Sequence, residues 1–396
     1  MRLVVLLIVT GAVLLGDLAG VFTGALDHPA IEYSKRAVHD PVAALNRKLD
    51  EGMTLEFEPE HGYLKSVLDA LGIPVESQMA IFAKSSFQQH LIGPGNARAI
   101  YFNDAVAVGW IRGGPLLEVA SEDPEQGTIF YTLNQWRSAS PRLKRRDDCL
   151  GCHESYDTMG VPGMLLRSVY PAPNGFVMRE LGSYNVDHRT AFAHRWGGFF
   201  VTGKTDALSH LGNAAFKQEN EAEAVETNLK GYLSPSSDIV ALMVFDHQMH
   251  MANLLTRIGW ETRFALHEKT MTPEKLAGMA AEIVDYMLFV DEARISSPVR
   301  GTSGFEEKFA AVGPFDRKGR SLRQFDLQRR MMRYPCSYMI YSAAFDGLPA
   351  VAKEAIYRRM WRVLSGEIAS RISDGDRRAI VEILRETKKD LPQYFL

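Results

Sequence analysis

Cysteine is scarce: three residues in a chain of 396. A small secreted domain stapled by disulfides uses many more, so a disulfide framework is excluded. An excess of one charge is lacking too. Lys and Arg number 45 against 48 Asp and Glu, a net charge of −3. Phosphate backbones select basic surfaces, so no nucleic-acid partner is expected. Beyond the first 15 residues no apolar run is long enough for a bilayer span, which needs roughly 20 residues. Internal repeats and low-complexity tracts are also missing. Hydrophobic residues make up 46% and charged residues 23%, enough for a sizeable globular core.

The one apolar run stands at the N-terminus. Arg2 precedes Leu3 to Leu15, broken at Gly16-Asp17, and Thr23-Gly24-Ala25 follows as a small-residue cleavage site. A basic start, a short apolar stretch and small residues read as a secretory signal peptide over residues 1–25. No Cys lies near it to carry a lipid anchor. Contact with a membrane is expected only if this segment stays uncleaved. The compartment expected is the bacterial periplasm or the exterior.

Two of the three cysteines fall in one run, Cys149-Leu150-Gly151-Cys152-His153. C-x-x-C-H is the haem c attachment pattern. Two thiols two residues apart reach the two vinyl groups of one macrocycle. The following His then lies under the iron as proximal ligand, its other ring nitrogen fixed by a backbone carbonyl. A zinc site would want a fourth ligand and a second Cys pair, and a thioredoxin-like site a βαβ context. The basic residues Arg142, Lys144, Arg145 and Arg146 precede the run; they belong to a polar loop and could also meet haem propionates. Cys336 is isolated among apolar neighbours and reads as a buried thiol. One covalent haem c, with its iron, is the expected cofactor, held by Cys149, Cys152 and His153.

This attachment run looks like that of bacterial c-type cytochromes. Gly160-Val161-Pro162-Gly163, Arg195-Trp196-Gly197-Gly198 and Tyr334-Pro335-Cys336-Ser337-Tyr338 resemble segments of large, secreted, single-haem cytochrome c domain proteins, from about residue 95 onward. The resemblance implies haem and compartment and no particular activity. The small cytochrome domains of about 100 residues fit poorly.

Patterning predicts an α+β chain: short antiparallel strands around a haem-bearing loop, then a mainly α-helical C-terminal half. Residues 26–98 read as helical and irregular, with helices over Val42–Leu49 and Leu64–Leu71 stopped by Gly72 and Pro74. Residues 99–235 read as the haem-binding α+β region. Its strands are expected near 99–104, 106–111, 116–120, 128–133, 183–188 and 196–202, with turns at Gly113-Gly114-Pro115 and Glu122-Asp123-Pro124. Residues 236–396 read as helical: Ile239–Ile258, a helix from Thr272-Pro273-Glu274 to about Glu292, a basic helix over 319–333, Ala350–Leu364 closed by Gly366, and Asp376–Thr387.

The iron's other face decides the chemistry. A second strong ligand gives electron transfer, and an open face permits ligand binding or catalysis. The sixth-ligand candidates are Met159, Met164, Met178, His188, His194, His210, His247 and His250. Met164 stands behind the Pro162-Gly163 turn. His247 falls on the apolar stripe Met243, Val244, His247, Met251, Leu254, Ile258, with His250 on its edge; a satisfied core histidine is the plainer role for it. The expected function is single-electron transfer to and from a redox partner protein. The alternatives are a peroxidase- or oxygenase-type haem oxidoreductase, with His247, His250, His194 or Arg195 as catalytic candidates, and a haem-based sensor or docking subunit. Tyr131, Trp136, Tyr156, Tyr170, Tyr184, Trp196, Phe199 and Phe200 are expected to pack around the macrocycle.

Overall fold

A computed structural model describes residues 25–205, 207–226 and 228–396. The signal segment, apart from its last residue, lies outside them. The chain is α+β. Seven strands form one antiparallel sheet in the order β6-β5-β4-β3-β2-β1-β9. They are β1 (Met79–Ile81), β2 (Arg98–Phe102), β3 (Val106–Ile111), β4 (Leu116–Asp123), β5 (Gly127–Asn134), β6 (Lys144–Arg145) and, after the short pair β7 (Arg167–Val169) and β8 (Ser183–Asn185), β9 (Phe199–Phe200). The β2 to β5 meander follows the run of β-branched and aromatic residues. Strand β1, three residues long and flanked by β2 and β9, has no sequence signal of its own.

Period-two alternation gives the sheet two buried faces. Ala99, Tyr101, Val108, Trp110, Leu117, Val119, Tyr131 and Leu133 join a core with helices α1 (Pro41–Asp50) and α2 (Leu64–Leu71). Asp40 caps α1 and also accepts the Tyr131 hydroxyl at 2.7 Å. On the other face, Met79, Ile81, Phe102 and Ala107 share a core with the C-terminal helices. The rest of that face, with Arg98, Gly109, Glu118, Phe130 and Thr132, lies beside the cysteine motif, whose last turn is the short helix α3 (Leu150–His153).

The C-terminal half is built on α4 (Ile239–His267), 29 residues long and buried on nearly every side. Asp238 caps it, accepting from Val240 N at 2.8 Å, while its second oxygen takes Thr302 N at 2.7 Å and Ser303 N at 2.9 Å. Around it lie α5 (Pro273–Met287), α6 (Phe305–Ala311), α7 (Ala343–Asp346), α8 (Ala350–Leu364) and α9 (Asp374–Thr387). Among the described residues no helix is long and apolar enough to cross a membrane.

Three expectations are corrected. Residues 319–333 form no helix. Asp326 accepts Gln328 N at 2.9 Å and Arg329 N at 3.0 Å, a side-chain turn that competes with helix, and Phe325 pairs instead with Met332. Helix α5 stops at Met287, short of Glu292, because Phe289 and Asp291 adopt left-handed backbone. Over 196–202 only Phe199–Phe200 is strand. Trp196 is left-handed, and a Cβ on Gly197 would stand 2.1 Å from the Val169 carbonyl, so the glycines serve a close backbone approach.

Candidate cofactor site

The motif begins on a 3-10 turn, Asp147–Cys149, and continues into α3. Leu150 is buried and pins the turn. Cys149 is half-buried and Cys152 exposed; both are free thiols. Three residues apart on successive helical turns, they occupy one face. Burial pushes the Cys149 thiol up to about 11.

His153 follows with its ring against Phe130, centroids 4.6 Å apart. Its Nδ1 lies 3.0 Å from the Gly163 carbonyl, and Gly163 N donates back to the His153 carbonyl at 2.9 Å. A carbonyl only accepts, so Nδ1 carries the proton and Nε2 the lone pair. Nε2 bonds nothing among the described residues. Burial lowers the imidazole pKa and keeps the ring in the neutral form that binds metals. Two free thiols on one face of the motif beside one clamped, neutral imidazole fit the attachment chemistry of haem c. Among the described residues no three His, Cys, Asp or Glu side chains group as the ligands of a bare metal ion. Haem c asks for one such ligand, not three.

Three of the four preceding basic residues already have carboxylate partners. Arg142 pairs with Asp50 at 2.7 Å, and Arg145 with Asp147 and Arg146 with Asp148 at 2.6 Å. On the sheet beneath the motif, Arg98 Nη1 bonds Glu118 at 3.1 Å, while its Nε is buried and unpartnered.

A cleft of about 390 Å³ runs behind the loop that follows the motif. Met159, Met164, Asp187, His250, Asn253 and Arg257 are among its lining residues; Cys149, Cys152 and His153 are not. Met164 thus lines this cleft, away from the motif's own side chains. Gly163 holds His153 by Nδ1, so the chain at 163–164 passes behind the imidazole, opposite Nε2. The Met164 carbonyl is itself held there by Asn253 Nδ2 at 2.8 Å.

His247 is placed in the core. It is fully buried, and both ring nitrogens are engaged, Nδ1 with His188 Nδ1 at 2.8 Å and Nε2 with Ser337 Oγ at 2.7 Å. It is a core histidine. Burial lowers it to about 3 and drives His188 well below the imidazole range. Each nitrogen of the buried Arg195 side chain donates inside the protein, to Thr190 O, His188 O and Asp246, which ties the guanidinium into the core. His250 touches Arg189 Nη2 at 3.1 Å and lies 3.5 Å from Asp187; burial holds it at about 4. His194 is exposed and stacked on Tyr184 at 4.4 Å. His210 Nδ1 accepts from Gly212 N at 3.0 Å, and Met178 is half-buried. No bond or ring contact ties any of these to the motif among the described residues.

Of the aromatic residues, Tyr131 and Phe200 belong to the opposite sheet face and Trp196 donates to Asp246 at 3.1 Å, while Tyr156 and Trp136 stand 84% and 60% exposed. Asp246 escaped the sequence reading. Its signal was a lone acid in the apolar run Ile239–Phe245, with Arg195 and Trp196 of a quoted motif as its partners. Burial pushes its carboxyl up to about 7 against the pull of both.

Compared with known proteins, the chain matches no family model, no curated protein and no solved structure.

Proposed function

We propose that the chain is a monohaem c-type cytochrome that carries single electrons to and from a redox partner protein outside the cytoplasm. Cys149 and Cys152 would anchor the macrocycle and His153 would be the proximal ligand. The observation that carries this reading is the reciprocal clamp between His153 and Gly163, which fixes the tautomer and leaves only Nε2 to face a metal. Haem, when bound, supplies a one-electron iron couple. The protein's part is to hold one axial nitrogen still, neutral and partly shielded from water.

Electron transfer is favoured over catalysis by two observations. Cys152 is exposed, which keeps the cofactor's edge near the surface and within reach of a partner. The distal acid–base candidates Arg195 and His247 are buried, and every side-chain nitrogen of both is bonded within the core.

The test is the absorption spectrum of the purified, matured protein, reduced, with and without carbon monoxide. A sharp low-spin spectrum indifferent to the gas supports electron transfer. A high-spin haem that binds it moves the reading to an enzyme or a sensor. No covalent haem at all ends both.

A further inference from the structure

Across the sheet face from the motif runs the segment that links β1 to β2. It carries Phe87, 67% exposed, an aromatic ring left in water where most such rings are packed. Its neighbour Gln88 is buried and bolts the segment to β4. Gln88 Nε2 donates to Glu118 Oε1 at 3.1 Å and to the Leu116 carbonyl at 3.2 Å, and its Oε1 accepts from Leu116 N at 3.3 Å. The Phe87 ring lies 5.2 Å from the Arg146 guanidinium, and the Arg146 carbonyl accepts from Cys149 N at 3.3 Å. Phe87 thus stands beside the turn that leads into the first cysteine.

Between the two walls lies a floor of Arg98, Gly109 and Glu118 on neighbouring strands. Glu118 acts electrostatically on both Cys149 and His153, and Arg98 on His153. Arg98 gives Glu118 one nitrogen only. Its Nε is buried without a partner, and Nη2 makes no bond among the described residues. Gly109 leaves the middle of the floor without a side chain.

We infer that the segment Lys84–Ile92 is the second wall of the haem seat, with Phe87 against the macrocycle face and Arg98 meeting its carboxylates. A haem is a flat apolar disc with two carboxylates on one edge. It complements an exposed ring beside the turn that carries its anchoring thiol and a guanidinium with unused donors on the floor. The inference rests on the haem reading above, and adds residues that the basic run before the motif had seemed to provide.

The experiment uses full-length protein matured with haem. Haem staining after denaturing electrophoresis comes first; if the wild type carries none, the haem reading itself fails. With haem attached, reduction potential and Soret circular dichroism are measured for Arg98→Gln, Phe87→Ala and Trp136→Ala. Loss of the Arg98 charge should lower the potential, since a nearby cation favours the reduced, less positive iron. Arg98→Lys should restore part of the shift. Phe87→Ala should weaken the Soret dichroism, and Phe87→Leu should keep more of it. Trp136→Ala, an exposed aromatic outside the wall, should change neither. Haem-loaded Arg98→Gln and Phe87→Ala proteins with wild-type potential and dichroism would overturn the inference. Phe87 is exposed, so its variant folds and decides the matter even if Arg98→Gln does not.

Discussion

His188 and His247 meet through their Nδ1 atoms at 2.8 Å, so one proton sits between two buried rings. A second proton would set two N–H groups against each other within the core. Burial holds His247 at about 3 and His250 at about 4, whereas unfolded imidazoles titrate near about 6.5.

Between those values the unfolded chain binds the extra protons. The stability that comes from neutral rings is therefore complete above about pH 6.5 and is lost as pH falls toward 4. His247→Gln removes one such proton. From pH 6 to 4 the wild type should lose about 1.4 kcal/mol per pH unit more than the variant. Urea midpoints measured across that range check this; parallel curves would mean that His247 is charged in the native core.

Gly163 has no room for a side chain. A Cβ there would stand 2.1 Å from Asn253 Oδ1. Gly163→Ala should destabilise by about 1–3 kcal/mol through overpacking and loosen the carbonyl that orients His153. Adding Asn253→Ala should recover part of the loss, although it deletes the bond to the Met164 carbonyl, worth about 1 kcal/mol. A double-mutant cycle by chemical denaturation decides, and strict additivity would refute the clash.

Arg195 and Asp246 form a buried ion pair at 3.2 Å. Asp246→Ala leaves the guanidinium uncompensated and should cost about 3–5 kcal/mol. Asp246→Leu combined with Arg195→Met should cost much less, because the pair was drawn out of water at a large desolvation penalty. Melting curves of the three proteins test this; a double variant as unstable as Asp246→Ala would place the cost elsewhere.

Replacing Cys149 and Cys152 together by Ala should abolish covalent haem. Cofactor still bound to the polypeptide after denaturing electrophoresis would remove the central proposal. His153→Ala should keep the thioether attachment and change the spectrum, because the macrocycle stays while its axial nitrogen goes.

The sequence was most legible where local chemistry decides. Val106–Ile111 and Ala350–Leu364 fall on their expected bounds, because periodicity and turn residues act within a few positions. It was least legible where partners come from far along the chain. Met79–Ile81 is a strand because β2 and β9 flank it. Residues 319–333 carry helical composition, yet the Asp326 side chain bends them. At the site, Cys149, Cys152 and His153 could be read from spacing, but the Gly163 carbonyl, the Arg98 floor and the Asp246 pair needed coordinates. His247 looked available as a ligand because its helical stripe is visible in sequence, while its bonds to His188 and Ser337, 59 and 90 positions away, are not.

Asp238 caps α4 with one oxygen and gathers Thr302 and Ser303 with the other. Synthesis delivers the helix long before those partners. A nascent chain released before Thr302 has the first turn of its central helix but not the bonds that close that turn to the rest of the core. The tie between the start of that helix and the segment at 302–303 therefore joins stretches of chain more than 60 positions apart, and it closes only after both have been made.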